Sequence, residues 1–372
     1  MARHVPGHAG GSREGTRRDS GHCGRCSVWC QVIAVAALAA ISLLIPGQLD
    51  QIVKEGTPGV EAHANGRDYA KGNAPVNGRV RVGSITKSFV AVATLQLVAE
   101  NKIELDGPAS KYVPYVKDER ITVRQILQHT SGLPDYALAI GVNKIGDIRN
   151  RHFEPHELLD AGLKQPPRFQ PGEKYEYSNT NYVVAGLMIQ KVTGRPVAEE
   201  VQRRVIDRAD LKDTYWPKQG EQRIRGRHAR AYAQTDLLDP KSATVDATEL
   251  DTSAAWAAGA MVSTPADVAK FYKTLLNGGL LQKPQLDDMR RTVPVDEKSA
   301  YGLGLESTKL SCGGVSWGHG GTIHGWASLG AATDSGKSAA ITLTALPGAF
   351  GTDPARTFQQ VFDVIDTALC KK

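Results

Sequence analysis

Apolar residues crowd most densely between positions 84 and 101, where Phe89, Val90, Ala91, Val92, Ala93, Leu95, Leu97 and Val98 leave almost no polar face. A helix apolar on every side is a buried one, so this segment is predicted to be a central helix. Residues 121–136 predict a short amphipathic helix with Ile121, Val123, Ile126 and Leu127 on one stripe, stopped by Ser131-Gly132 and Pro134. Residues 179–194 place apolar side chains at 183, 184, 187, 189 and 192, with Gly194 as the C-cap. Thr264-Pro265-Ala266-Asp267 opens another helix with a capping hydroxyl, a proline in the first turn and an acid beside it. It runs through Val268, Phe271, Tyr272 and Leu275. A last helix is predicted behind Asp353-Pro354, with apolar positions 358, 361, 362, 365 and 369.

The final third reads differently. "GVSWGHGG", "HGWASLGAAT" and "KSAAITLTAL" are short, apolar and β-rich, and Asp334-Ser335-Gly336 marks a hairpin between the last two. Residues 56–80 are turn-rich and predict at most one short strand. The expected fold is α+β: an antiparallel sheet with flanking helices built from both chain ends, with a mainly helical region inserted at roughly 105–290. The cleft between them is the expected site.

Composition narrows the class. Of 372 residues, 41% are hydrophobic and 23% charged, as in an ordinary globular protein. The net charge is +6 without a basic run on one face, which argues against nucleic-acid binding. Residues 1–27 are rich in Gly, Arg and His, and "VIAVAALAAISLLI" (32–45) carries no charge. This predicts a division into a basic leader at 1–47 and a single domain at 48–372. The leader is either a secretory signal or an uncleaved anchor over 28–46, and the domain either secreted or held at a membrane. Cys23, Cys26 and Cys30 precede the apolar core, so no cysteine stands in the lipoprotein position, and Cys23-x-x-Cys26 lacks a second pair for a metal. No metal or other cofactor is expected, and a monomer is. Beyond the leader only Cys312 and Cys370 remain, either one disulfide or two separate thiols.

Three short stretches carry chemistry. In "RVGSITKSF", Ser84 and Lys87 stand three apart on one face of the buried helix. A desolvated lysine loses its preference for charge and can take a proton from a hydroxyl. Backbone N–H groups at the helix start suit a developing oxyanion. In "YEYSNTNY", Tyr177 offers a phenol that relays protons, and Asn179 an amide that holds a lysine or a substrate carbonyl. In "WGHGGTIHGW", glycines around His319 let a ligand approach the backbone of a strand.

In this order and spacing the three stretches resemble those of the serine penicillin-binding protein and class C β-lactamase superfamily, and most nearly the secreted D-alanyl-D-alanine carboxypeptidases of actinomycetes. "ITVRQILQHTSGL", "PGEKYEYSNTNYVVAG", "GAMVSTPADV", "YGLGL" and "LSCGG" extend the resemblance over residues 55–370. It implies acylation of Ser84, with Lys87 as proton acceptor and Tyr177 as shuttle, which of the two is the principal base being open. Asn179, His319, Gly320, Gly321 and Thr322 would bind substrate, with Thr322 and Ser84 supplying the oxyanion N–H groups. Substrates would be a peptidoglycan-type peptide, a β-lactam or a small ester.

Two departures bear on specificity. The third motif is His-Gly-Gly where carboxypeptidases often have His-Thr-Gly. "ESTKL", opening on Glu306, stands where they carry basic residues, so a substrate carboxylate would meet a like charge unless His319 or Lys309 compensates. The alternatives within the superfamily are a class C β-lactamase-like hydrolase or esterase, and outside enzymes an inactive penicillin-binding sensor domain. Gly-x-Ser-x-Gly is absent because Val82 and Thr86 flank Ser84. His152-x-x-x-His156 is interrupted by Pro155, which excludes a zinc-protease helix.

Overall fold

The computed structural model describes residues 44–371. The leader as far as residue 43, with Cys23, Cys26 and Cys30, lies outside them. The described residues begin with helix α1 (44–54), followed by the hairpin β1 (Gly59–Ala64) and β2 (Arg67–Gly72), then β3 (Val80–Arg81) and helix α2 (Thr86–Ala99). The middle contributes α3 (Val123–Gln128), α4 (Ile145–Ile148), α5 (Pro155–Leu163), α6 (Asn179–Thr193) and α7 (Val197–Val201). After these come β4 (Tyr232–Gln234), β5 (Thr244–Asp246), α8 (Trp256–Gly259), β6 (Val262–Ser263), α9 (Pro265–Leu276) and α10 (Lys283–Met289). The end of the chain adds β7 (Val293–Pro294), β8 (Ser299–Tyr301), β9 (Glu306–Lys309), β10 (Val315–Ile323), β11 (Trp326–Ala332), β12 (Ser338–Leu343) and α11 (Pro354–Cys370).

Eight strands form one antiparallel sheet in the order β2-β1-β12-β11-β10-β9-β8-β7, so both chain ends meet at the β1–β12 pair, Val60 opposite Leu343. Its two faces are covered separately. Ile45, Leu49 and Ile52 of α1 and Val361, Val364, Ile365 and Leu369 of α11 cover one, against Val60, Ile341 and Leu343. The other packs on Val268, Phe271 and Tyr272 of α9, continuous with the helical core around α2. Asp353 caps α11 through the N–H groups of Ala355 and Arg356, and Thr264 caps α9 through that of Asp267. α2 is buried on every side from Thr86 to Leu97, as its composition demands.

Two expectations need correction. Residues 59–72 form two strands, so the sheet edge is complete. The signal was weak because β2 is a polar, largely exposed edge strand and β1 buries an acid, Glu61, among its apolar residues. Glu61 accepts the Gly78 N–H, and burial pushes its carboxyl up to about 8. The leader boundary at residue 47 falls inside α1, whose Ile45 is fully buried, so the folded domain claims the end of the apolar run assigned to an anchor. The short helix expected ahead of Ser131-Gly132 is present as α3, with His129 as its C-cap. Among the described residues no helix is long and apolar enough to cross a membrane. Cys312 and Cys370 form a disulfide, Cα atoms 5.5 Å apart, tying the loop before β10 to the end of α11.

Candidate active site

Ser84 sits in a 3₁₀ turn, Gly83–Ile85, that leads into α2. Gly83 has φ +51°, and a Cβ there would lie 2.7–2.9 Å from the backbone of Thr322. A Cβ on Gly321 would lie 2.0 Å from the Val82 carbonyl and 3.1 Å from the Ser84 nitrogen. Two glycines therefore let β10 and the Ser84 turn touch backbone to backbone. β9 pairs with β10 only as far as Gly318 opposite Glu306, whereas β11 continues to Ile323. Residues 319–323 thus keep a free strand edge beside Ser84.

Lys87 is fully buried one turn below Ser84. Its Nζ lies 3.0 Å from Ser84 Oγ, 2.9 Å from Asn179 Oδ1 and 2.7 Å from the Ala258 carbonyl. Burial pulls the amine down to about 7, against a partial pull upward from the carboxylates of Asp135 and Glu306. The neutral amine can donate to Asn179 and Ala258 and turn its lone pair to the Ser84 hydroxyl. Holding a protonated lysine there costs about 5 kcal/mol, from the fall of 10.5 to about 7. Phe89, Val90, Val92, Leu95 and Leu97 on the same helix return roughly 7–15 kcal/mol by burial. The apolar helix is what permits the lysine to be there.

Tyr177 faces the same hydroxyl. Its phenol and the Ser84 side chain line the same cleft, and Lys87 Nζ lies 4.8 Å from its ring centre. Burial raises the phenol well above its ordinary range, so it stays protonated. Asn179 opens α6, and its orientation is fixed by Asp135, whose Oδ2 accepts both its Nδ2 at 2.8 Å and its backbone N–H at 2.9 Å. That leaves Asn179 Oδ1 for Lys87. Asp135 was not among the predicted residues: one acid in "GLPDY" carries no motif signal, and only the fold brings it to Asn179.

His319 is buried and both its ring nitrogens are engaged. Nε2 meets the Tyr301 hydroxyl at 2.8 Å and Nδ1 the Gly320 carbonyl at 2.5 Å. Burial and the nearby Lys87 hold the imidazole down at about 3, so it is neutral. Glu306 Oε1 lies 3.8 Å from His319 Nδ1, and a third of its side chain stays exposed. Burial, opposed by the Gly320 N–H and Lys87, raises its carboxyl to about 7. Lys309 turns away to the Glu297 carbonyl at 2.8 Å. Neither cation expected to compensate Glu306 does so.

The cleft has two halves that share Ser84, Tyr177 and Thr322. One, of about 370 Å³, is largely apolar, with Tyr136, Val142, Leu237, Leu250 and Ile323 in its wall. The other, of about 250 Å³, is lined by Glu306, His319, Gly320 and Phe362. Every predicted site residue from Ser84 to Thr322 therefore converges on one place, and Glu306 joins them.

A family model described as Beta-lactamase matches residues 45–361. Among solved structures, a D-stereospecific amidohydrolase from Streptomyces sp. superposes with a TM-score of 0.78 and 36% identity, over 86% of this chain and 97% of that one. The D-amino acid amidase of Ochrobactrum anthropi SV3, in complex with L-phenylalanine amide, gives a TM-score of 0.74 and 27% identity over 87% and 98%. Curated relatives include Protein flp of Staphylococcus aureus (strain MW2), 29% identical over 46% of this chain, and the putative penicillin-binding protein PbpX of Bacillus subtilis (strain 168), 26% identical over 60%. These matches span 34% and 52% of the two relatives' own lengths.

Proposed function

The chain belongs to the beta-lactamase family and is a serine hydrolase, and from that premise we propose that it cleaves amides and esters of D-amino acids whose leaving group carries no carboxylate. Lys87 takes the Ser84 proton as Oγ attacks the carbonyl carbon. The N–H groups of Ser84 and Thr322 receive the oxyanion. Tyr177 passes the proton to the departing amine or alcohol, and water then releases the acyl group by the reverse relay. The substrate backbone lies along the free edge of residues 319–323. The disulfide supports an oxidising, extracytoplasmic place of action.

The observation that carries the specificity is Glu306. It lines the smaller half of the cleft next to Ser84, facing an imidazole that stays neutral. A free carboxylate there gains no charge-assisted donor and meets a like charge, which costs several kcal/mol where water is excluded. The D-alanyl-D-alanine carboxypeptidase reading is therefore reduced to a slow side reaction. The names of the two amidohydrolase structures support the D-configured acyl group.

The test compares D-phenylalanine amide and methyl ester with a D-alanyl-D-alanine peptide. The wild type should prefer the first two, and the preference should widen as pH rises through 7 and Glu306 ionises. The requirement for neutral Lys87 is common to both reactions and cancels in the ratio. Glu306→Arg should raise kcat/KM for the peptide and leave the ester nearly unchanged. A wild type that favours the peptide by orders of magnitude, with an indifferent arginine variant, contradicts the assignment.

A further inference from the structure

His129 ends α3 with φ 60° and ψ 34°, in the left-handed region that side-chain-bearing residues seldom adopt. From there it holds the segment on either side of Tyr177. Its carbonyl accepts the Glu176 N–H at 3.0 Å. Its Nδ1 accepts the Ser178 N–H at 3.2 Å. Its ring lies against the Tyr177 ring, centres 4.3 Å apart and planes 32° apart. One residue thus fixes the backbone before and after the phenol and the phenol's own face.

The proton on the imidazole follows from its partners. Asn181 Nδ2 also lies 3.1 Å from Nδ1. The Asn181 amide is oriented by the Ser131 hydroxyl, which donates to its Oδ1 at 2.6 Å. With two donors aimed at Nδ1, that atom is the acceptor and the hydrogen sits on Nε2. The ring is fully buried, with the Tyr301 ring edge-on at 4.9 Å and Tyr182 at 5.4 Å. A buried polar ring in a costly backbone conformation is kept where the surroundings require it.

We propose that His129 is a positioning residue for proton transfer at Ser84, acting only through the place it gives the Tyr177 hydroxyl. The proposal rests on the reading that Tyr177 relays the proton. It predicts a loss in kcat with little change in KM, because substrate touches Tyr177 and not His129.

Two variants separate the two parts of the grip. His129→Phe keeps a ring against Tyr177 and loses the acceptor for Ser178. His129→Asn keeps an acceptor where Nδ1 stood and tolerates the left-handed backbone, but loses the ring. Ester turnover, corrected for the folded fraction measured by circular dichroism, should fall about 30-fold in the first and roughly 5- to 10-fold in the second, with KM within about twofold. Each variant is then combined with Tyr177→Phe. Once the hydroxyl is gone its position is irrelevant, so either His129 change should cost less than about twofold more. A residue that only stabilises the core would give additive losses. Additivity in either cycle, or a loss carried in KM, overturns the proposal, and each variant carries the test if the other fails to fold. A Tyr177→Phe protein of undiminished kcat overturns the relay reading itself, an outcome recognisable before any His129 variant is made.

Discussion

Replacing Lys87 with methionine should abolish turnover and also change how stability depends on pH. The buried amine titrates at about 7 in the folded protein and near 10.5 in the unfolded chain. Between those values the unfolded chain holds the extra proton, so wild-type stability rises with pH, by up to about 1.4 kcal/mol per unit. Integrated from pH 7.5 to 9.5, the Lys87 contribution grows by roughly 2–3 kcal/mol. Lys87→Met leaves Asn179 Oδ1 and the Ala258 carbonyl without their donor, at about 1–3 kcal/mol each, but that cost is independent of pH. The difference between the two proteins is therefore the quantity to read. Urea unfolding at the two pH values should show the wild type gaining roughly 2–3 kcal/mol on Lys87→Met. The same titration should set the acid limb of wild-type kcat/KM near pH 7, with activity rising as the amine loses its proton. Tyr177 should set no limb in this range, because its phenol is raised well above its ordinary value. Parallel stability profiles, or an acid limb far from 7, would show that Lys87 is not the buried base described here.

Asp135→Asn should lower kcat roughly tenfold, because the Asn179 amide is no longer fixed toward Lys87. Its acid limb should move below that of the wild type, since the Asp135 carboxylate raises the Lys87 pKa; an unmoved limb would contradict that coupling. Cys312→Ser with Cys370→Ser should remove up to about 4 kcal/mol of stability, the chain-entropy value for a 58-residue separation, without changing KM. Thiol titration of the unreduced, denatured wild type should find neither cysteine free.

The catalytic centre was largely legible because its chemistry is local. Ser84 and Lys87 share a helix face, Tyr177 and Asn179 share one loop, and His319 to Thr322 lie on one strand. What was not legible depends on contacts across the fold. Asp135 meets Asn179 from a loop 44 residues away. His129 is a common residue type in an amphipathic helix, and nothing local shows that its Nδ1 will find Ser178. The neutrality of His319 follows from its burial and from Lys87, and both are set by packing across the fold. Among the secondary elements, α2 announced itself as an unbroken apolar run, and α6, α9 and α11 through period and caps. β2 did not, because a polar edge strand has neither. The apolar run ahead of residue 47 looked like leader alone, since a signal core and the end of a buried helix share one composition; the packing of Ile45 beside Leu49 separates them.

The central claim is that Ser84 Oγ carries the acyl group of a D-amino-acid ester whose leaving group has no carboxylate. Acid-quenched protein from the first turnovers of D-phenylalanine methyl ester, examined by intact and peptide mass, tests it most directly. The account predicts a mass increase of one D-phenylalanyl group, confined to the peptide containing Ser84 and absent from Ser84→Ala. An adduct that persists in Ser84→Ala, or hydrolysis by that variant at the wild-type rate, would contradict it.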